Sequence, residues 1–142
     1  MSAPLIVLDT DVVVTALIGS EAASSYRLTR AVGTGEVAVA LSDAFLIELV
    51  RTVRNRHRQG LITDAARAFE VALDLGWHGE MYRPNHFDWP SVPDPEDYWM
   101  PDLAWHAGAE CIVTWDRHLL DAELPFPVTV LQPPEILTKL RG

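Results

Sequence analysis

Near the start of the chain, the four apolar residues Leu5-Ile6-Val7-Leu8 run directly into Asp9-Thr10-Asp11. Carboxylate oxygens are the ligands that hard divalent cations such as Mg²⁺ prefer, one or two at a time, with water and phosphate completing the shell. The apolar run has the length of a buried strand, expected to be parallel and central. The carboxyl ends of such strands are where open α/β sheets build their ligand sites. By itself the pair is ambiguous, because Asp is also favoured at helix N-caps and in turns.

Other acids arrive at equivalent places. Glu48 falls in the second turn of a helix after a second strand, Asp94 and Asp97 at the start of a helix before a third, and Asp116 directly after Ile112-Val113-Thr114-Trp115. Each has a plainer alternative: Asp97 as a helix cap, Asp116 as a turn residue, Glu48 as a solvated side chain. For all of them to be plain requires several coincidences at one sheet edge. The joint reading is a shared acidic cation site.

The elements that must position these acids alternate. Val12 to Ile18 reads as a short helix ended by Gly19, and Glu21 to Val32 as a second, stopped around Gly33 and Gly35. Val37 to Leu41 is a β-branched, apolar strand. Ser42 offers an N-cap to a helix carrying Phe45, Leu46, Leu49, Val50 and Val53 at helical spacing. Thr63 or Asp64 caps the next helix, with Ala66, Phe69, Ala72 and Leu73 on one side. Gly76 to Pro95 breaks the pattern and reads as an ordered active-site loop, with a short strand around Met81-Tyr82. Leu103 to Ala107 is helical and stops at Gly108; Cys111 to Thr114 and Val128 to Leu131 are strands; Pro133-Pro134 open a last helix, Glu135 to Leu140. This order predicts a three-layer α/β/α domain with a mainly parallel sheet.

The 142 residues suit a single domain, 1–142, with length enough for a real core. No apolar stretch approaches a membrane span, and the N-terminus lacks the pattern of a secretory signal. The single cysteine, Cys111, excludes an internal disulfide framework and a cysteine zinc site. A cytoplasmic, non-membrane protein is expected. Net charge is −9, from 11 Lys+Arg against 20 Asp+Glu, which opposes nonspecific nucleic-acid binding unless a bound cation neutralises the acids locally. The basic residues are unevenly spread: Arg51, Arg54, Arg56 and Arg58 cluster with His57, and Lys139 is the sole lysine.

In order along the chain, Leu8-Asp9-Thr10-Asp11, Ser42 through Glu48-Leu49, Asp94-Pro95-Glu96-Asp97, Ala107 through Leu120 and the closing Pro133-Pro134-Glu135-Ile136-Leu137 are similar to PIN domain ribonucleases. They most resemble the VapC-like toxins of bacterial toxin–antitoxin pairs. The resemblance implies a Mg²⁺ or Mn²⁺ site built from Asp9, Glu48, Asp97 and Asp116. Asp11 and Asp94 would support it, with Thr114 as a nearby hydroxyl. It also implies metal-dependent endoribonuclease activity on RNA, an antitoxin partner and a homodimer. Arg51, Arg54 and Arg58 become candidate RNA or antitoxin contacts; their plainer role is a solvated basic helix end. Two features depart from the family. Asp11 stands where Asn or Ser is usual, and Pro101 lies in the first turns of the helix after Asp97, which leaves open whether Asp102 joins or replaces Asp97.

Trp77, Trp89 and Trp99 fall in or beside the irregular loop and are expected to pack it, whereas Trp105 and Trp115 are expected in the core or a pocket wall. Two rival functions follow from the same residues. A PIN-fold module without catalysis would act through protein contacts alone. Asp9-Thr10-Asp11-Val12-Val13 also fits the opening of haloacid-dehalogenase-type phosphatases, with Asp9 as covalent nucleophile and Asp11 as general acid. Those enzymes need a basic residue before the last acidic motif, and Lys139 lies beyond every acid.

Overall fold

The computed structural model describes residues 3–20 and 23–141. Strand β1 (Leu5–Leu8) leads into helix α1 (Thr10–Ile18), followed by α2 (Ser24–Gly33), β2 (Ala38–Leu41), α3 (Asp43–Arg58) and α4 (Ala65–His78). After β3 (Glu80–Met81) come a 3-10 turn (Pro95–Asp97), α5 (Trp99–Ala107), β4 (Cys111–Val113), α6 (Arg117–Leu120), β5 (Thr129–Leu131) and α7 (Pro133–Arg141). The five strands form one sheet in the order β3-β2-β1-β4-β5, every pair parallel. The expected fold class is therefore the one observed.

β1 is apolar throughout because both of its faces are covered. Ile6 and Leu8 join Val113 and residues of α1, α2, α3, α4 and α7 in one core, while Val7 joins Ile112, Met100, Leu103 and Leu119 in the other. Those two cores are the seams of the three layers. The chain runs from β1 outward to β2 and β3, then crosses back to lay β4 on the far side of β1. The β1/β4 boundary is thus the topological switch point, where a crevice opens at the carboxyl ends of the strands. The register Leu8–Val113 brings Asp9 and Thr114 to that crevice side by side.

Local chemistry sets the helix starts. Ser42 Oγ accepts from the Phe45 N–H at 3.3 Å, as expected of an N-cap, and Asp64, of the two candidates, accepts from the Arg67 N–H at 3.0 Å. Helix α5 begins at Trp99, so Asp97 lies in the preceding 3-10 turn and not in the helix. Pro101 is then its third residue, within the first turn, where a missing N–H leaves no helical bond unmade. Gly108 ends α5 with φ +68, in the left-handed region that favours glycine. The expected start of α2 at Glu21 lies outside the described residues.

Helix α4 corrects the sequence reading twice. It continues through Gly76 and Trp77 to His78, so the irregular segment starts later than Gly76. It also presents the opposite face: Ala66, Phe69, Ala72 and Leu73 are exposed, while Val71, Asp74 and Leu75 are buried. The apolar periodicity misled because the buried face carries a carboxylate. Arg30 of α2 donates to both oxygens of Asp74, at 3.1 and 2.9 Å, which makes burial of that acid affordable at the α2–α4 seam.

Gly33 allows this approach, since a Cβ there would come within 2.3 Å of Asp74 Oδ1. Gly33→Ala is expected to destabilise the fold by about 1–3 kcal/mol, read as a lower urea midpoint with an unchanged slope.

Candidate active site

The carboxyl ends of β1 and β4 are joined by one hydroxyl. Thr114, fully buried just after β4, donates through Oγ1 to Asp9 Oδ2 at 2.7 Å and accepts from the Asp116 backbone N–H at 2.9 Å. The Asp9 N–H donates to the Val113 carbonyl at 2.9 Å, so the backbone is pinned as well. Asp9 has extended backbone at the N-terminus of α1, but its side chain makes no capping bond there. It is turned to Thr114 instead. Asp116 does cap: its Oδ1 accepts from the His118 N–H at 2.9 Å and starts α6. The plainer role of Asp116 is thus real, and it occupies one of the two carboxylate oxygens.

The other acids reach this point through their charge. Burial is the main cause that pushes Asp97 up to about 6, and the charges of Asp9, Asp94, Asp116 and Glu48 add to it in that order. Asp11 is pushed up to about 7, by burial first and the charge of Asp9 second, against the backbone N–H groups of Trp115 and Val12. Burial also raises Asp9, outweighing the Thr114 hydroxyl and the Thr10 and Asp11 N–H groups, which favour its charged form. Asp9, Asp11, Glu48, Asp94, Asp97 and Asp116 therefore form one electrostatic neighbourhood. Within it Asp94 has a local task, its Oδ1 accepting from the Glu96 N–H at 3.0 Å to cap the 3-10 turn. Glu48 lies 3.6 Å from Arg51.

Among the described residues, no group of three or more His, Cys, Asp or Glu side chains stands ready to hold a metal ion. Mg²⁺ does not require one, since it commonly binds through one or two carboxylates and keeps several waters. The donor chemistry fits a hard cation: every candidate ligand is a carboxylate. Asp11 Oδ1 is also the one buried side-chain polar atom without a partner among the described residues. An unsatisfied buried oxygen beside other raised carboxylates is the arrangement that a cation relieves.

Asp102 belongs elsewhere, which answers the question raised by Pro101. It is 2% exposed and accepts from the Phe87 N–H at 3.0 Å and the Trp89 indole N–H at 2.9 Å, both on Oδ1. Its Oδ2 lies 3.3 Å from His86 Nδ1. Asp102 is an anchor for the segment after β3 and not a companion of Asp97. The sequence carries no signal for this, because the partners are 13 to 16 residues away across irregular chain.

Of the three arginines, only Arg51 approaches the acids. Helix α3 starts at the carboxyl edge of the sheet and runs away from it, so Arg54 and Arg58 stand about 9 and 15 Å farther along than Glu48 at 1.5 Å per residue. The tryptophans follow expectation only in part. Trp89 does pack the loop, but Trp77 projects from α4 into solvent. Trp105 is exposed, rests edge-on against Phe126 and forms part of a pocket wall with Phe87 and Trp89, one of the two places expected for it. Trp115 is partly exposed and donates its indole N–H to Ser25 Oγ at 3.0 Å. Neither is a core residue. Cys111 is a free, buried cysteine in β4.

The raised carboxyls fix the sign of a pH effect. An Asp of unfolded pKa about 3.9 that titrates near 7 when folded, as Asp11 does, favours the folded state below about pH 4, and that advantage is lost as pH rises to about 7. The metal-free protein is therefore expected to lose stability between about pH 4 and 7 in EDTA, and Asp11→Asn to flatten this loss, both measured by urea unfolding.

A model of the PIN domain family matches residues 5–118, a stretch that includes Asp9, Glu48, Asp94, Asp97 and Asp116 and ends before the closing Pro133–Leu137 segment. No curated protein matches the sequence. The fold is similar to that of PAE2754 from Pyrobaculum aerophilum, with a TM-score of 0.62 at 15% identity over 98% of this chain and 90% of that one. At that identity the likeness speaks for the fold alone. The family match covers most of the chain, and the chain belongs to the PIN domain family.

Proposed function

We propose that this chain is a divalent-metal-dependent endoribonuclease that hydrolyses RNA phosphodiester bonds, acting as the toxin of a toxin–antitoxin pair. PIN domains are generally nucleases and commonly use divalent metals. The observation that carries the reading here is the Thr114 hydroxyl, which ties Asp9 to the start of the Asp116 turn at the sheet's switch point. Asp97 feels the charges of Asp9, Asp94, Asp116 and Glu48, which supports grouping these acids.

Asp9, Glu48, Asp97 and Asp116 are the residues that would hold Mg²⁺ or Mn²⁺, with Asp11 and Asp94 contributing negative field beside them. When bound, the ion supplies positive charge that stabilises an in-line displacement at phosphorus and acidifies the attacking water. The residues of the chain prepare for this. Thr114 fixes the Asp9 carboxylate in one orientation, the role that outer hydrogen bonds play for ligating groups. Uncompensated, the acids at the edge of a −9 protein repel phosphate; with their charge offset by the cation they would hold, the same edge could accept one. The proton that Asp11 holds near neutrality would have to leave for a cation to bind beside it.

The toxin role rests on the ordered set of motifs similar to VapC-like proteins, and with it come an antitoxin partner, a homodimer and a cytoplasmic setting. Among the described residues, no helix is long and apolar enough to cross a membrane. The family match leaves the phosphatase alternative without support.

Asp9→Asn is expected to abolish Mg²⁺- or Mn²⁺-dependent cleavage of single-stranded RNA, as EDTA should in the parent. Thr114→Val, which keeps the Asp9 carboxylate but removes the hydroxyl that orients it, is expected to lower the rate about 10- to 100-fold. Full activity in Asp9→Asn contradicts the assignment. Parent protein that cleaves no RNA with either ion favours a PIN-fold interaction module. Growth arrest on expression, relieved by Asp9→Asn and by the product of a neighbouring small gene, would mark the toxin.

A further inference from the structure

Beside the acidic edge lies a cavity of about 530 Å³ between α3 and the segment following β3. Its lining shares Glu48 with the acidic site and combines Arg51 and His86 with the rings of Phe87, Tyr98 and Trp99. We propose that this cavity is a nucleotide subsite, in which an unpaired base of the substrate stacks on Phe87 while a neighbouring phosphate docks on Arg51. The proposal deepens the nuclease reading and rests on it for the identity of the substrate.

Three observations carry it. The volume is within the range of about 300–1,000 Å³ typical of small-molecule clefts, enough for one nucleotide. The wall is held in place rather than loose, because Asp102 fixes the backbone of Phe87, the indole of Trp89 and the ring of His86 at once. Phe87 meets Trp89 edge-on, with centroids 6.0 Å apart at 70°, and stays partly exposed, so a face of its ring is left for a ligand. Aromatic faces beside cations are how proteins hold single-stranded nucleic acid.

Charge decides the orientation. Two further carboxylates, Asp88 and Glu96, stand on the rim and repel phosphate from their side. They are acceptors for the amino edge of a base, while Arg51 is the cation on the lining. A base enters a concave slot of this kind only when it is out of a duplex. The slot therefore selects single-stranded RNA and sets how the strand lies relative to Asp9 and Asp116.

The test is equilibrium binding, by fluorescence anisotropy with Mg²⁺ present, of a labelled single-stranded RNA of about ten nucleotides, in an Asp116→Asn background so that the probe survives. Phe87→Ala in that background is expected to bind about 5- to 100-fold more weakly. Arg51→Ala should reduce the salt dependence by about one phosphate contact. Phe69→Ala, an exposed ring on α4, should bind as the background does, and the annealed duplex should bind more weakly than the single strand. Unchanged binding in Phe87→Ala, equal binding of duplex and single strand, or no binding at all overturns the subsite. The nuclease reading is judged separately by cleavage in the parent. Cleavage with normal Phe87→Ala binding sinks the subsite alone, and no cleavage with weakened Phe87→Ala binding sinks the nuclease alone.

Discussion

Carboxylates crowded onto one edge of a parallel sheet repel one another, and the fold spends several of its features on keeping them there. The Thr114 hydroxyl is the central restraint, since it is shared between Asp9 and the backbone that introduces Asp116. A Val in its place would leave Asp9 free to turn toward solvent and the Asp116 N–H without an acceptor. The strand register that sets Leu8 beside Val113 makes this bridge possible, and the packing of β1 on both faces makes the register rigid. Burial first, and the charges of neighbouring acids after it, raise the proton affinities of Asp9, Asp11 and Asp97.

A second acid, Asp102, has the opposite character. It is buried among donors and holds the segment that walls the neighbouring cavity. The two environments divide the work of the site. At the sheet edge Asp11 Oδ1 is buried without a partner among the described residues, beside the acids proposed to hold a cation, whereas the fully engaged Asp102 shapes the space where a substrate strand would lie. Arg51 stands between them, 3.6 Å from Glu48 and on the cavity lining, and is the one basic residue of α3 placed to serve both.

Much of this was legible from local patterns. The apolar run before Asp9, the Ser42 cap before Glu48, and the strand that ends at Thr114 and Asp116 each announce themselves within a few residues, and the alternation of elements implied the parallel sheet. What stayed hidden depends on distant partners. The buried face of α4 is set by Arg30 and Asp74, 44 residues apart, so hydrophobic periodicity alone chose the wrong side. The anchoring role of Asp102 arises from a loop that returns to α5, and Trp105 and Trp115 look like core residues until their surroundings are known. Proline at 101 seemed to disturb the helix start; in fact the helix simply starts later, leaving Asp97 in a tighter turn.

The central claim is that the edge acids form a cation site held together by Asp9. Titration of the metal-free protein with Mn²⁺ by calorimetry near pH 6.5, repeated in buffers of different ionisation enthalpy, tests it most directly. The account predicts binding accompanied by proton release, because Asp11, pushed up to about 7, holds a proton at that pH that a cation must expel, and loss of that binding in Asp9→Asn. Mn²⁺ binding that releases no protons, or that survives Asp9→Asn unchanged, would contradict it.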